Sequence, residues 1–264
     1  MNFPHTRLRR LRQNKILREL VSEKKVDTKD LIYPIFVCEG NNVKKEIKSM
    51  PGQYTMSIDQ AIIKCEEAFA LGIKSFLIFP VSDIKDETGI CAISKNNIQQ
   101  KAIKKLKDEF NEILIIADLC NCAYTKHGHC GTLVDGDVDN DLTVKNLCNQ
   151  AISLVESGAD IIAPSDMMDG RIKEIRTKLD SQGYVNIPIL SYSAKYSSAF
   201  YGPFREASES APKKGDRSTY QLNYCNYREA IREGKQDVYE GADMIMVKPA
   251  LSYLDIITKF RQNF

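Results

Sequence analysis

Gly241-Ala-Asp-Met-Ile-Met-Val-Lys-Pro-Ala250 decides how the chain is read. Met244 to Val247 is a continuous apolar run, the pattern of a parallel strand covered on both faces. Lys248 puts an amine at the strand's carboxyl end, and Pro249 stops the ladder. Lys248 shares parity with Met244 and Met246, so it is expected on their side of the sheet. An amine held in apolar surroundings has its charged form disfavoured. Its pKa falls and it becomes a usable nucleophile. The competing reading is a strand-end lysine that snorkels to water.

The same plan recurs. Gly72-Ile-Lys-Ser-Phe-Leu-Ile-Phe-Pro80 and Gly158-Ala-Asp-Ile-Ile-Ala-Pro164 also place a Gly helix stop, a short turn, an apolar strand and a closing Pro in that order. Between them the chain alternates strand and helix. Strands are expected over Leu31–Val37, Ser75–Phe79, Ile113–Ala117, Asp160–Ala163, Ile187–Leu190 and Met244–Val247. Ser57-Ile-Asp-Gln60 has the form of a capping box, opening a helix that Gly72 closes. Further helices are expected over Asn97–Asn111, Thr143–Glu156, Met168–Leu179, Tyr227–Glu240 and Tyr253–Phe264. Such alternation with right-handed crossovers builds a parallel sheet, either a (β/α)8 TIM barrel or a doubly wound sheet. No G-x-G-x-x-G and no G-x-x-x-x-G-K-[ST] follows a strand, which counts against nucleotide-binding sheets. Asp118, Cys120, Cys122, Ser165, Asp166, Lys195 and Lys248 all fall at or just beyond strand carboxyl ends, where barrel enzymes build their sites. The barrel is therefore favoured. Only six strand-helix units are found, against the eight that a closed barrel needs.

Composition sets the bounds. The chain has 264 residues, 43% hydrophobic and 27% charged, with net charge +2. That is a large-cored globular protein with no field selecting nucleic acid or acidic partners. No apolar run approaches the roughly eighteen residues of a membrane span, and no signal-peptide core is present, so a cytoplasmic location is expected. Residues 1–25 form a basic arm, with Leu8, Leu11, Ile16 and Leu17 among its arginines. Those apolar residues fit subunit contacts better than a transit peptide or nucleic-acid arm. The catalytic domain is expected over 26–264.

Three constellations carry chemistry. Cys120, Cys122 and Cys130 lie within eleven residues. Three thiolates can take three corners of a tetrahedron and leave the fourth to water or substrate, and zinc suits soft sulfur. His127 or His129 as a fourth ligand would instead close the site. Lys195 and Lys248 end successive strands about 4.8 Å apart, so a neighbouring ammonium can depress an amine's pKa and favour a Schiff base with a ketone. Phe200 to Gln221 is rich in Gly, Pro, Ser and charge, and long enough for a lid. Its Arg205 and Arg217 can clamp a carboxylate.

These motifs together resemble the porphobilinogen synthase (5-aminolevulinate dehydratase) family. The likeness rests on Asp118-Leu-Cys-Asn-Cys122, His127-Gly-His-Cys-Gly131, Ala163-Pro-Ser-Asp-Met-Met-Asp-Gly-Arg171, Ser193-Ala-Lys-Tyr-Ser-Ser-Ala-Phe-Tyr-Gly-Pro-Phe-Arg205, Gly215-Asp-Arg217, Tyr220-Gln221 and Met246-Val-Lys-Pro249. The resemblance implies a hydro-lyase of tetrapyrrole (heme) biosynthesis that condenses two 5-aminolevulinate molecules asymmetrically, with loss of two waters. It implies Lys248 as the main Schiff-base lysine and Lys195 as its partner. Cys120, Cys122 and Cys130 become ligands of a catalytic zinc. Arg205, Arg217 and Gln221 hold one substrate carboxylate, Tyr201 and Phe204 line that pocket, and Asp118 and Ser165 line the site. Glu233 matches a position near an allosteric magnesium, and an octamer with wrapping arms is implied.

The sequence departs from the family at two points. Thr219 stands where some members have a cysteine that helps bind a second zinc. The family also continues well beyond the position of Phe264, supplying the last two strands and a serine and a tyrosine for the other substrate. An incomplete barrel is expected on that ground. The alternative to an active synthase is an impaired or inactive member keeping zinc-binding or assembly contacts. A Schiff-base lyase of the aldolase type is a third reading, which the three-cysteine loop disfavours.

Overall fold

The computed structural model describes residues 2–264. The arm holds a short 3-10 turn, Leu8–Arg12, and α1, Lys15–Leu20, neither of which buries a residue. Six parallel strands then follow: β1 (Ile32–Cys38), β4 (Ser75–Val81), β5 (Leu114–Leu119), β8 (Ile161–Pro164), β9 (Leu190–Lys195) and β10 (Met244–Lys248). They are neighbours in chain order, β8 meeting β9 through the single bridge Ile162–Ile189. Two short strands not anticipated from sequence, β2 (Lys44–Glu46) and β3 (Tyr54–Met56), extend the sheet beside β1, and β6 (Leu133–Val134) pairs with β7 (Asp137–Val138) as a small hairpin.

Alternation along the strands gives the wall two faces. Ile35, Val37, Phe76, Ile78, Ile115 and Ala117 face outward onto the helices α2 (Ile58–Ala70), α3 (Ile98–Glu109), α4 (Asn140–Glu156) and α5 (Arg171–Ser181). Phe36, Leu77, Phe79, Ile116, Ile161, Leu190 and Tyr192 face the other way and pack on one another. Each fully buried Ile or Leu contributes about 1.5–3 kcal/mol, so this double-sided burial dominates the fold energy. The helices α6 (Gly202–Ala207), α7 (Tyr227–Glu240) and α8 (Leu254–Asn263) complete the element set. The architecture is α/β of the TIM-barrel type, as expected. Among the described residues β10 pairs only with β9. An apolar groove of about 480 Å³, lined by Ile32, Met246, Ile257 and Phe264 among others, lies between β10 and the start of β1.

Several local expectations are corrected. Ser57 begins α2 without a side-chain cap, because its hydroxyl accepts the Val43 N–H at 2.8 Å instead. Pro80 does not end its strand: β4 runs on to Val81, since its pairing with β5 stops at Ile78 and leaves one side free of ladder demands. The fifth strand lies later than expected, over Leu190–Lys195, so Lys195 is its last residue. α5 starts at Arg171, after Gly170 in the left-handed region.

Candidate active site

Lys195 and Lys248 are paired in register at the ends of β9 and β10. Simple alternation would not put them on one face. Leu190 and Tyr192 point to the inner side, so Ala194 should follow them and Lys195 should point out. The register shifts between Ile245 and Val247, where Tyr192 and Ser193 together oppose Met246. This bulge reverses the phase. Ala194 packs outward with Tyr196 and Leu222, while Lys195 turns inward and is 5% exposed. β10 keeps its alternation, with Met246 inside and Val247 outside, so Lys248 is inward as its parity predicts.

The Lys248 ammonium position lies 4.5 Å from the Phe204 ring centre, 4.7 Å from Tyr192 and 5.3 Å from Phe79. Burial among these rings, then the charge of Lys195, brings its pKa down to about 8, against the opposing pull of Asp118. Lys195 Nζ donates to the Ser165 carbonyl and lies 5.5 Å from the Tyr192 ring centre. Asp118, the penultimate residue of β5, is pushed up to about 6 by burial, against both lysines and Ser165. Its Oδ1 has no protein partner. Gln99 fixes this end of the sheet: its amide donates to the carbonyls of Asp118 at 2.7 Å and Ile78 at 3.1 Å.

Cys120, Cys122 and Cys130 are buried, with their sulfurs all within 4.8 Å of one another. Cys120 and Cys122 Sγ are 3.4 Å apart. Metal–sulfur bonds of about 2.3 Å span such separations, so three thiolates around one small soft ion fit this group. The Cys130 thiol is held well below its usual range by hydrogen bonds from the other two thiols, helped by the Arg217 and Lys195 charges. Among the described residues it is the one group of three ligands this close together. His129 is not among them. Its Nε2 donates to the Lys214 carbonyl at 2.9 Å, and its Nδ1 accepts from the Tyr220 hydroxyl at 3.1 Å. His127 meets the Glu87 carbonyl at 3.0 Å.

The expected lid segment is ordered over this loop. Arg217 is 3% exposed and donates to the carbonyls of Gly128 at 2.9 Å and Ser210 at 2.6 Å. Arg217 Nε, Arg205 Nε, the Gln221 amide and the Tyr201 hydroxyl are buried without protein partners. Unpaired buried donors are costly, and a bound carboxylate would satisfy them.

A sequence model of the family described as delta-aminolevulinic acid dehydratase matches residues 5–264. The chain belongs to that dehydratase family. It is 50% identical to the enzyme of Methanothermus sociabilis over all 264 residues, spanning 82% of that relative. It is 52% identical to the Staphylococcus aureus enzyme over 259 residues, 97% of this chain and 80% of that one. The solved dehydratase of Toxoplasma gondii ME49, in complex with the reaction product porphobilinogen, superposes with TM-score 0.95 at 44% identity, covering 98% of this chain and 75% of that one.

Within the dehydratase frame, the structure brings Asp118, Ser165, Lys195, Lys248, Phe204 and the three cysteines into one neighbourhood. Glu233 lies apart on α7, lining a polar cavity of about 420 Å³ with Asp137, Asp169 and Glu229. Burial and the nearby carboxylates push Glu233 up to about 7, against Arg171. Thr219, where some members have cysteine, donates to Asp137 Oδ1 at 3.0 Å. Sequence reasoning gives no role to Gln99, which holds the Asp118 and Ile78 carbonyls, or to Tyr220, whose hydroxyl meets His129 and the Cys130 N–H. Gln99 and Gln100 are both buried on a helix that is largely polar in sequence, so periodicity marks neither as a core residue.

Proposed function

We propose that the chain is a porphobilinogen synthase, condensing two 5-aminolevulinate molecules to porphobilinogen with formation of one C–C and one C–N bond and loss of two waters. The observation that carries this reading is the registered lysine pair in an aromatic pocket beside three clustered thiols. With a pKa of about 8, Lys248 is about one-tenth neutral at pH 7. That amine attacks the ketone carbon of one substrate and expels its oxygen as water, leaving a lysine imine. Lys195, beside the nucleophile, lowers the Lys248 pKa. Asp118, near 6, exchanges protons with the nitrogen and the departing oxygen. Arg205, Arg217 and Gln221 take one substrate's carboxylate, Tyr201 and Phe204 close that pocket, and Ser165 orients Lys195.

Cys120, Cys122 and Cys130 are the zinc ligands in this reading. When bound, the ion supplies a Lewis acid for a substrate oxygen or water. Glu233 is assigned to a magnesium ion, supported by its carboxylate-lined cavity. The arm, with Leu8, Ile16 and Leu20 more than two-thirds exposed, is assigned to subunit contacts in a homo-oligomer, an octamer by the resemblance. Among the described residues no helix is long and apolar enough to cross a membrane, and all eight cysteines are unpaired. The unpaired thiols fit a reducing, cytoplasmic setting.

Borohydride trapping with 5-aminolevulinate tests the proposal. The expected result is an adduct on Lys248 together with porphobilinogen formation in its absence. Folded protein without adduct sinks it. A second reading is binding without turnover. Adduct without product would select it.

A further inference from the structure

Behind β9 lies a buried charged group that the site above does not use. The Arg171 side chain is 2% exposed, between Asp166 and Asp237, which are 0% and 4% exposed. Both carboxylates sit 3.7 Å from the guanidinium, Asp166 at Nε and Asp237 at Nη2. The shorter contacts go elsewhere. Nη1 donates to the Met168 carbonyl at 3.0 Å, and Nη2 donates to Ser191 Oγ at 3.2 Å and to the Tyr192 carbonyl at 3.4 Å. Ser191 Oγ in turn donates to Asp237 Oδ2 at 2.6 Å. On the Asp166 side the contact is of charge alone, since neither Arg171 Nε nor Asp166 Oδ2 has a hydrogen-bond partner, and truncating one side of so deep a charged group is expensive.

The grip has a location that matters. Ser191 and Tyr192 are the residues at which β9 leaves the register of β10. The bulge that follows is what carries Lys195 from the outer to the inner face. A bulge costs ladder hydrogen bonds, so an external donor to its backbone stabilises it against regular pairing. Regular pairing would put Ala194 inside and Lys195 outside.

We propose that Arg171, braced by Asp166 and Asp237, is the positioning residue for the lysine pair: its hold on Ser191 and the Tyr192 carbonyl keeps the β9 bulge that turns Lys195 onto the Lys248 side of the sheet. Its importance for turnover rests on the Schiff-base reading, but the geometry can be tested without substrate. The charged groups facing Lys248 are Lys195 from β9, Asp118 from β5, and Cys120 and Cys122 from the loop after β5. Lys195 is the one cationic side chain among them, and comparing variants at equal zinc content isolates the effect of withdrawing it.

The test is the pH dependence of Lys248 acetylation by acetic anhydride, read by peptide mass spectrometry on zinc-loaded protein. Ser191→Ala and Arg171→Lys should each raise the midpoint by about 0.5–1 pH unit. In a Lys195→Gln background the same substitutions should add no further shift. A role confined to folding would give equal shifts with and without Lys195, or none. Either result, in protein with parental far-UV circular dichroism and zinc content, overturns the proposal. Ser191→Ala, the milder change, keeps the test available where Arg171→Lys fails to fold. Borohydride trapping of 5-aminolevulinate on the parent separates the two claims: a parent that is acetylated but not trapped refutes the Schiff-base reading alone.

Discussion

Lys195 and Lys248 face one another in register on adjacent parallel strands, although one is in phase with its strand and the other is thrown into place by a bulge. Their opposition lets Lys195 lower the pKa of Lys248, with Asp118 acting in the contrary sense.

Removing Lys195 and removing Asp118 should therefore move Lys248 in opposite directions. Lys195→Gln deletes a like charge, so the midpoint of borohydride trapping should rise above about 8. Asp118→Asn deletes an opposing charge, so the midpoint should fall below it. A shift of about half a unit in either direction is well resolved in a pH series. Shifts of the same sign for the two variants would contradict the electrostatic arrangement.

Lys248 should cost stability. Its pKa falls from 10.5 to about 8 on folding. Between those values the unfolded chain binds a proton that the folded chain has released, so this group makes stability rise with pH across that window. Below pH 8 both states are protonated and the full penalty remains. Lys248→Met should abolish trapping and raise stability at pH 7 by about 1–3 kcal/mol. It should also flatten the pH dependence of the urea midpoint between 8 and 10.5. A loss of stability at pH 7 would show that the amine's contacts outweigh its desolvation.

Most of this frame is legible in the chain itself, because it is written in local patterns. The apolar runs ending at Gly-started, Pro-closed segments locate the strands, and α7 spans the anticipated Tyr227–Glu240. What is illegible depends on residues far apart in sequence. The turn of Lys195 inward follows from a register shift against β10, and the phase of β9 alone predicts the opposite face. Arg171 meets Asp237 sixty-six positions on, and no spacing rule connects them. Ser57 has the sequence of a cap and spends its hydroxyl on Val43 because the short β2–β3 pairing brings that backbone within reach. Pro80 looks like a terminator, yet the strand passes through it where the sheet makes no demand on one side.

The thiol cluster should behave as one unit. Cys120→Ala, Cys122→Ala and Cys130→Ala should each lower zinc content severalfold under chelator competition, because losing one of three protein ligands weakens the whole site. Thr219→Ala should leave that content unchanged, since the Thr219 hydroxyl bonds Asp137 and takes no part in the cluster. Elemental analysis after dialysis against a chelator decides between these outcomes. Parental zinc in Cys130→Ala would refute the ligand assignment.

Gly128 is where the lid rests on the cysteine loop. It adopts φ +76°, and a Cβ there would lie 2.5 Å from the Ala211 carbonyl oxygen and 3.3 Å from Pro212 Cα. Both neighbours are lid backbone, so they cannot yield by a side-chain rotation. The same turn accepts Arg217 at the Gly128 carbonyl and the Lys213 N–H at the His127 carbonyl. Gly128→Ala should therefore lift the lid and displace Arg217, the residue proposed to hold a substrate carboxylate. The expected signature is a KM for 5-aminolevulinate raised about tenfold or more, equivalent to losing one charge-assisted hydrogen bond. The clash is with the lid backbone at Ala211 and Pro212 and not with the cysteines, so zinc content should stay parental, whereas lifting Phe204 with the lid should expose Lys248 and raise its acetylation midpoint above about 8. Limited proteolysis gives an independent reading, with cleavage between Glu206 and Asp216 rising as the lid loosens. An unchanged KM in a variant with that new cleavage would show that the lid does not hold Arg217 to the substrate.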